Sequence, residues 1–372
     1  MRAKKYKELK SNNFIIAISA VVLGLLAGAL LILLIGQNPF AAFWYILKGA
    51  LMNVRRIAMT LAISTTLMLV GLSIAFAFKT GLFNIGASGQ ILAGGLAATT
   101  VAFAVDLPHV PMMFLIILSG FAAGAIWGLI PGLLKAFFNV HEVVSTIMMN
   151  WIAYWVVFYF VPAFLKGPSL ETESAMLPYE KTLRLDWLTN IFDGSNYVNA
   201  GLFVALFAVI VIKFIMDKTT LGYELKAVGH NRYGAEYAGI KVNRSVVLSM
   251  MIAGGLAGLA GVSYYCGYSG KIQIGVLPTQ GFDGIAVALL GASSPIGVVF
   301  SALFFGLLKA GKGFMSGNTL VPPELADTII AVIIYFTATS VMFRKFWDKR
   351  FKKINEKHNV YKSDSNDIEE DK

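Results

Sequence analysis

Long stretches of this chain carry no charged side chain, and that feature limits its possible folds more than any other. A bilayer core about 30 Å thick is crossed by about 20 apolar residues in a helix. Six charge-free stretches reach that length: Phe14–Gly36, Ile57–Phe78, Gly81–Val105, Leu107–Leu134, Val143–Leu165 and Ser245–Gly270. A shorter one, Ala200–Ile212, extends to Met216 when Lys213 snorkels to the interface. The sequence therefore predicts an all-α, polytopic membrane protein.

The low content of charged residues supports the same class. Only 14% of the 372 residues are charged, 57% are hydrophobic, and the mean hydropathy is +0.69. A soluble domain carries about a quarter charged residues because its surface faces water. Charge this sparse does not cover a globule, so lipid must solvate much of the surface.

The net charge of +10 does not indicate a nucleic-acid partner. The basic residues stand at the ends of apolar runs rather than along an aromatic face, which is the pattern of membrane topology signals. Cys266 is the only cysteine, so no disulfide forms within the chain. The first apolar run, Phe14–Gly36, is too long for a secretory signal and is predicted to remain as a membrane helix.

The basic residues also predict the orientation in the membrane. Lys and Arg collect in short loops on the cytoplasmic side. They are dense before Phe14, in residues 344–353 and in Lys218–Arg244, so we expect these three segments inside the cell. The longer, acidic segment Lys166–Asn199 is predicted to lie outside.

Two cytoplasmic termini require an even number of crossings, and the sequence predicts about ten. Asp327–Phe343 forms the last of them, and Gly281–Leu308 supplies two short or broken helices around Ser293-Ser294-Pro295. Three basic residues in the first outer loop oppose this arrangement: Lys48, Arg55 and Arg56. The larger basic clusters at both ends and in the central loop outweigh them.

No motif in the sequence predicts catalysis or a bound cofactor. Gly306–Gly313 has the glycine spacing and lysine of a phosphate loop, but no Ser or Thr follows to hold magnesium. His141-Glu142 begins a metalloprotease-like pattern, but Ser145 occupies the position of the second metal ligand. The sequence therefore indicates a chain that is not an enzyme and holds no metal.

Two apolar regions combine glycines with polar side chains at membrane depth. Gly81–Gln90 contains two amide side chains, and Gln280–Gly284 contains a carboxylate. Such segments indicate broken helices along a transport pathway, because irregular backbone in a bilayer must be buried in protein or line water. Close helix packing by small residues is the alternative, and we assign Gly254-Gly255, Gly258 and Gly261 to it.

Buried polar side chains in a membrane are costly and are functional candidates by default. The predicted pathway residues are Asn84, Gln90, Asn150 and Asp283. Amides suit a neutral, hydrogen-bonding solute, and the spans show no cluster of opposite charges for an ionic one. Three aromatic residues near them are assigned to lipid or helix packing rather than to base stacking: Trp151, Tyr154 and Phe282.

The central basic loop is predicted to dock on another protein. Within it, Tyr223–Val228 and Tyr233–Ile240 are short helical candidates. A short helix across the inner membrane surface suits a groove on a partner. A plain basic loop explains the lysines but gives no role to the alternating small and large residues at 233–240.

Three segments resemble a known family. ELKAVGHNRYGAEYAGI (224–240), with GGLAGLAG (254–261), resembles the cytoplasmic coupling segment of ABC-importer permeases of the branched-chain amino-acid and simple-sugar group. GLFNIGASGQILAGG (81–95) and HEVVSTIMMNWIA (141–153) resemble signatures of its nucleoside branch, which works with lipoprotein receptors of the basic-membrane-protein type. The resemblance runs from about Ile57 to Phe343. His230 departs from it, since an acidic or polar residue is more usual there.

The resemblance implies one permease domain, residues 1–343, in a bacterial cell membrane, with a charged cytoplasmic tail, residues 344–372. Two permease subunits, often non-identical, form the pore, two cytoplasmic ATPases drive it, and an extracellular receptor delivers a nucleoside. ATP and magnesium bind to those partners and not to this chain. Residues 166–199 become an extracellular loop and residues 217–244 the coupling loop. The residues that match the coupling contact are Gly229, Asn231, Ala235, Glu236, Tyr237 and Gly239.

Three alternatives remain open from the sequence. The same architecture can carry a sugar such as ribose. An ion-coupled secondary transporter would take up solute without partners and usually has paired intramembrane charges, which the sequence does not indicate. A structural scaffold gives no reason for glycine-broken polar segments.

Overall fold

The computed structural model describes residues 2–167 and 172–338. The predicted tail 344–372 and the last five residues of the predicted final span lie outside them. In chain order the helices are α1 (Arg2–Leu34), α2 (Pro39–Leu51), α3 (Val54–Lys79), α4 (Ala87–Ala104), α5 (His109–Phe138), α6 (Glu142–Phe164), α7 (Asp186–Ile191), α8 (Gly201–Lys218), α9 (Thr220–His230), α10 (Arg232–Tyr237), α11 (Val242–Val262), α12 (Gln280–Leu290), α13 (Pro295–Asn318) and α14 (Glu324–Ala338). Across the described ranges there are only two isolated β-bridges and no strand, so the all-α prediction is confirmed.

Six helices of the described residues are long and apolar enough to cross a membrane: α3, α4, α5, α6, α11 and α13. The pair α1–α2, bent by 116°, makes a seventh candidate if it is counted as one span. Multiple spans are thus confirmed, while the count of about ten crossings stays a prediction.

Two predicted boundaries were wrong for identifiable reasons. The first outer loop contains α2, which starts where Asn38 Oδ1 accepts the Phe40 N–H at 2.9 Å and Pro39 occupies the first turn. The predicted short helix Ile296–Leu308 is the first part of a 24-residue helix, α13. It continues past two lysines because carboxylates on neighbouring helices pair with them.

The packing of α5 on α11 depends on glycines. A Cβ atom added to Gly254 would overlap the Gly124 carbonyl oxygen and lie 2.9 Å from Gly128 Cα. Gly258 lies equally close to Gly120 and Gly124. Small residues spaced by four let two helix backbones approach within contact distance, as in other membrane bundles. The small-residue packing predicted for this part of α11 is confirmed.

Helix α3 connects the two ends of the bundle. At its start, Arg55 Nε donates to the Asp193 carbonyl oxygen at 3.1 Å, which places it beside segment 172–200. At its end, the Thr80 backbone lies against Gly229 of α9. Segment 172–200 and α9 therefore lie at opposite ends of α3, and Arg55, which opposed the predicted orientation, has an acidic neighbour.

Helix α13 runs antiparallel to α3. Val298, near its start, packs on Gly71, and Gly306, further along, packs on Ser64. The end of α13 therefore lies at the same end of the bundle as Arg55 and segment 172–200.

Segment 172–200 is joined to the chain that follows α11, residues 266–272, by main-chain hydrogen bonds. The N–H groups of Ser174, Leu177 and Leu183 donate to the carbonyl oxygens of Ile272, Gly270 and Cys266 at 2.8, 2.9 and 2.9 Å. Lys271 and Glu173 add an ion pair at 2.6 Å. The chain that these bonds hold continues directly into α12.

We expect Gly254→Ala to destabilise the α5–α11 packing, since the added methyl group meets backbone that has no room to move. Overpacking of this kind costs about 1–3 kcal/mol, and the measurement is the apparent melting temperature of the purified protein in detergent. Gly317→Ala is the matched control, because a Cβ there meets nothing within 4 Å. Equal melting temperatures for the two variants would contradict this account of the packing.

Candidate functional site

The chain leaves helical geometry between α3 and α4. Thr80 ends α3, and Gly81 follows with φ +75°, a left-handed conformation that glycine adopts without strain. Helix α4 begins only at Ala87, so the first six residues of the predicted span Gly81–Val105 are irregular. This irregular segment, residues 80–86, is the broken region that the glycines predicted.

Three buried amides hold the irregular segment together. Asn84 Nδ2 donates to Gln90 Oε1 at 2.9 Å, and Gln90 Nε2 donates back to Asn84 Oδ1 at 3.3 Å. Asn84 Oδ1 also accepts the Gly86 N–H at 3.1 Å. From α6, Asn150 Oδ1 accepts the Gly89 N–H at 2.8 Å and its Nδ2 donates to the Ile85 carbonyl oxygen at 3.0 Å. We call these three side chains the amide lock.

The amide lock satisfies backbone groups that lie away from both water and regular helix bonds. Its members are at most 2% exposed. An unpaired buried backbone group costs about as much as a lost hydrogen bond, and more in lipid. The three amides thus have partners inside this chain, and their predicted contact with a solute remains a prediction.

The second glycine-rich region meets the first. Ser88, in the first turn of α4, donates its hydroxyl to the Pro278 carbonyl oxygen at 2.8 Å. A Cβ added to Gly281 would overlap the Ser88 side chain, so the starts of α12 and α4 are in contact. The structure therefore brings together the two regions that the sequence singled out as a pathway.

Asp283 has a different environment from the amides. Its carboxylate Oδ2 pairs with Lys309 Nζ of α13 at 2.5 Å, and the two side chains are 15% and 16% exposed. The prediction that the spans hold no opposite charges was wrong. Asp283 and Lys309 are 26 residues apart, so only the packing of α12 on α13 brings them together.

Helix α9 contacts the irregular segment directly through backbone. A Cβ added to Gly229 would overlap the Lys79 carbonyl oxygen and lie 3.0 Å from the Gly81 nitrogen. No side chain separates the two backbones at this point. Movement of α9 is therefore passed to residues 79–81 without an intervening flexible group.

Helix α10 is exposed on most of its surface. Of the residues predicted for coupling, only Ala235 is buried, and Tyr237 is 97% exposed. Asn231 Oδ1 accepts the Gly234 N–H at 3.0 Å and so begins α10. Gly239, with φ +83°, follows its end. A capped helix of six residues that buries Ala235 and leaves most of its surface exposed is suited to contact another protein.

The predicted chemical motifs fall in helices. Gly306–Gly313 lies inside α13, where the backbone N–H groups take part in helix bonds rather than cradle a phosphate. His141 is the N-cap of α6, with Nδ1 accepting the Val143 N–H at 3.3 Å. Glu142 pairs with Lys135 of α5 at 2.8 Å. His141 and Glu142 thus mark the start of α6.

Two contributors to this region, Ser88 and Lys309, were not among the predicted site residues. Ser88 lies within the predicted motif, but its partner is a carbonyl group 190 residues away. Lys309 follows an apolar run, so in the sequence it marked the end of the predicted short helix Ile296–Leu308. A lysine inside a longer amphipathic pattern was the available signal.

The sequence was compared with known proteins. The profile of the family described as branched-chain amino acid transport system / permease component matches residues 56–338. The guanosine ABC transporter permease protein NupP of Bacillus subtilis is 39% identical, over 92% of this chain and 98% of its own length. The nucleoside ABC transporter permease protein NupB of Lactococcus lactis is also 39% identical, over 88% and 92%. The glucose ABC transporter permease protein TsgB13 of Haloferax volcanii is 31% identical, over 88% and 87%. No solved structure matches.

We expect Asn150→Ala to destabilise the protein by about 1–3 kcal/mol for each of the two backbone groups that it leaves unpaired. The apparent melting temperature in detergent measures the loss. Asn190→Ala removes an amide from the exposed helix α7 and serves as the control. If both variants melt with the wild type, the amide lock does not stabilise the irregular segment.

Proposed function

The chain belongs to the branched-chain amino acid transport system permease family, and on that premise we propose that it is the pore-forming subunit of an ATP-driven nucleoside importer. The observation that carries the proposal is the 39% identity to a guanosine permease over nearly the full length of both chains. The proposed location is the bacterial cell membrane, in agreement with the six apolar spans.

Nucleosides are favoured over sugars as the cargo. The two nucleoside permeases are more similar to this chain than the glucose permease is, at 39% against 31% identity. A nucleoside is also neutral and rich in hydrogen-bonding groups. This is expected of a solute whose pathway residues are either uncharged amides or charges held in an ion pair. A sugar such as ribose shares that chemistry and remains the alternative within the same architecture.

Separate ATPase subunits are proposed to supply the energy through α9 and α10. The coupling contact would comprise Gly229, Asn231, Ala235, Glu236, Tyr237 and Gly239, with ATP and magnesium held by the partners. A partner shifts a conformational equilibrium only when it binds the two states differently. ATP-dependent closure of the ATPases provides that difference. The exposed surface of α10 supports this role because nothing in the described chain covers it.

The contact between Gly229 and Gly81 supports a short route from the motor to the pathway. Movement of α10 reaches α9, then the backbone at the end of α3, then the irregular segment. The amide lock keeps that segment rigid, so the displacement reaches the start of α4 and, through Ser88, the start of α12. We propose that Asn84, Gln90 and Asn150 shape the pathway in this way, and that Asp283 faces it.

The proposed topology places both termini, the coupling loop 217–244 and the tail 344–372 in the cytoplasm. Segment 166–199 is then extracellular and contacts the substrate-binding lipoprotein. About ten crossings, counting the short helix α12, make up the permease domain 1–343. A second permease subunit, not identical to this one, completes the pore.

The ion pair Asp283–Lys309 is the feature expected of an ion-coupled secondary transporter. That class leaves the exposed helix α10 without a function, since such a protein needs no motor. An ATP-driven importer accounts for both features.

We expect vesicles that contain this permease, its partner permease, the ATPases and the receptor to take up labelled guanosine only when ATP is supplied. Other nucleosides should compete, and ribose or glucose at equal concentration should not. If ribose competed at the same concentrations as the nucleosides, the cargo would be a sugar and not a nucleoside. Guanosine uptake by this chain alone under an ion gradient would replace the ATP-driven mechanism with ion coupling.

We expect Glu236→Ala to lower both uptake and receptor-stimulated ATP hydrolysis by roughly tenfold, the effect of losing about 1.4 kcal/mol at an interface. Membrane insertion should stay normal because Glu236 is exposed. Glu224→Ala, on α9 in the same loop but outside the coupling contact, controls for loss of a carboxylate. Wild-type uptake and hydrolysis in the Glu236 variant would remove α10 from the coupling contact.

A further inference from the structure

Helix α13 has two faces of opposite character. One is apolar and carries Ile296 and Phe300, which are 45% and 69% exposed. The other carries Lys309, Lys312, Gly313, Ser316 and Gly317, whose spacing of three and four residues places them on one side of a helix. Together with Asp283 of α12 and Asp327 of α14 we call this second side the charged face.

The charged face holds two ion pairs. Lys309 Nζ lies 2.5 Å from Asp283 Oδ2, and Lys312 Nζ lies 2.8 Å from Asp327 Oδ2. The Lys312 and Asp327 side chains are 35% and 47% exposed. Each pair links α13 to a different helix, and the four charges sum to zero.

These charges do not lie at the end of α13. Lys309 stands nine residues before Asn318, about 13 Å along the helix axis at 1.5 Å per residue. Gly306, one turn earlier, packs on Ser64 in the middle of α3. The Lys309 ammonium group pairs with the largely buried carboxylate of Asp283 on α12, so it does not snorkel to the interface.

Lipid is an unsuitable neighbour for such a surface. Charged side chains within membrane segments face a protein interior or a water-filled cavity. Gly313 and Gly317 add to this, because a Cβ at either position meets nothing within 4 Å and their backbone is uncovered by any described side chain. Phe300, on the opposite side of the same helix, has the size and exposure expected of a lipid contact.

We propose that the charged face lines the water-filled half of the translocation pathway on the side of segment 172–200, and that it selects uncharged solutes with both donors and acceptors. This inference rests on the proposed function and identifies residues that line the path of the solute. The carboxylates accept hydrogen bonds from hydroxyl or ring N–H groups, and the ammonium groups donate to ring carbonyl or nitrogen acceptors. Because the charges are paired, a neutral nucleoside passes without a counter-ion.

The chain provides a clean background for testing water access. Its one cysteine, Cys266, is fully buried, so a Cys266→Ala chain carries introduced cysteines as the only thiols. Gly313→Cys and Ser316→Cys report on the charged face. Phe300→Cys is the matched control on the apolar side of the same helix.

The experiment treats vesicles of the complete transporter with a charged methanethiosulfonate and, separately, with a lipid-soluble maleimide. The charged reagent reaches only thiols in contact with water, where reactive thiolates form, whereas the maleimide also dissolves in lipid. We expect the charged reagent to modify the Gly313→Cys and Ser316→Cys variants roughly tenfold faster than the Phe300→Cys variant, and the maleimide to modify all three. Modification of the two charged-face variants by the maleimide alone would mean lipid contact, and no modification by either reagent would mean a covering protein. Both results overturn the proposal.

A second measurement distinguishes a pathway from a wet surface elsewhere. In vesicles that take up guanosine, receptor loaded with guanosine should slow modification of the Ser316→Cys variant severalfold when turnover is prevented. An unchanged rate would overturn the pathway assignment although nucleoside import still holds. If the vesicles take up ribose and not guanosine, receptor loaded with ribose must slow the modification instead. An error in the proposed cargo is thereby distinguished from an error in the proposed position of the charged face.

The ion pair gives an independent test. Asp283→Asn and Lys309→Gln should each lower uptake severalfold because each leaves one buried charge without its partner. The exchange Asp283→Lys with Lys309→Asp restores the pair, and we expect it to recover uptake above either single variant. Full uptake in both single variants would remove the pair from the pathway.

Discussion

Backbone polar groups inside a bilayer must find partners within the protein, and the centre of this structure depends on how one irregular segment meets that requirement. Residues 80–86 leave helical geometry between two apolar helices, and Asn84 and Gly86 within them are buried. The amide lock of Asn84, Gln90 and Asn150 supplies the donors and acceptors that a helix would otherwise provide. Without it, the break between α3 and α4 would be too costly to exist at this depth.

The same segment is where three parts of the chain meet. Gly229 of α9 lies against its first residues, and Pro278, before α12, accepts a hydrogen bond from Ser88 just after it. Buried side-chain amides on α4 and α6 bond this irregular segment, which makes it stiffer than an unbonded loop. The structure thus combines a broken helix with a rigid connection, which a mechanically driven permease requires.

The helices were largely predictable because hydropathy is a local property. The long runs of α3, α5, α6 and α11 follow the charge-free stretches closely. Helix α2 was missed because its buried residues need a surface that distant helices provide, chiefly α13. Lys309 was taken as the end of a helix because its partner is distant in sequence.

The polar residues of the site were predictable in identity and not in role. Asn84, Gln90 and Asn150 stand out in apolar runs, which marks them as costly and therefore specific. Their use as partners for backbone depends on the path of residues 80–86, and no sequence pattern describes that path. Opposite charges such as Asp283 and Lys309 become a pair only when two helices pack.

Segment 172–200 is attached to the chain that follows α11 through peptide groups, and these are the same in every amino acid apart from proline. Replacement of its exposed side chains therefore leaves these main-chain bonds in place. If the receptor docks on this segment as proposed, the docking surface can diverge while the segment stays connected to the chain before α12. Recognition of the carrier protein and transmission of its docking are in this way separable during evolution.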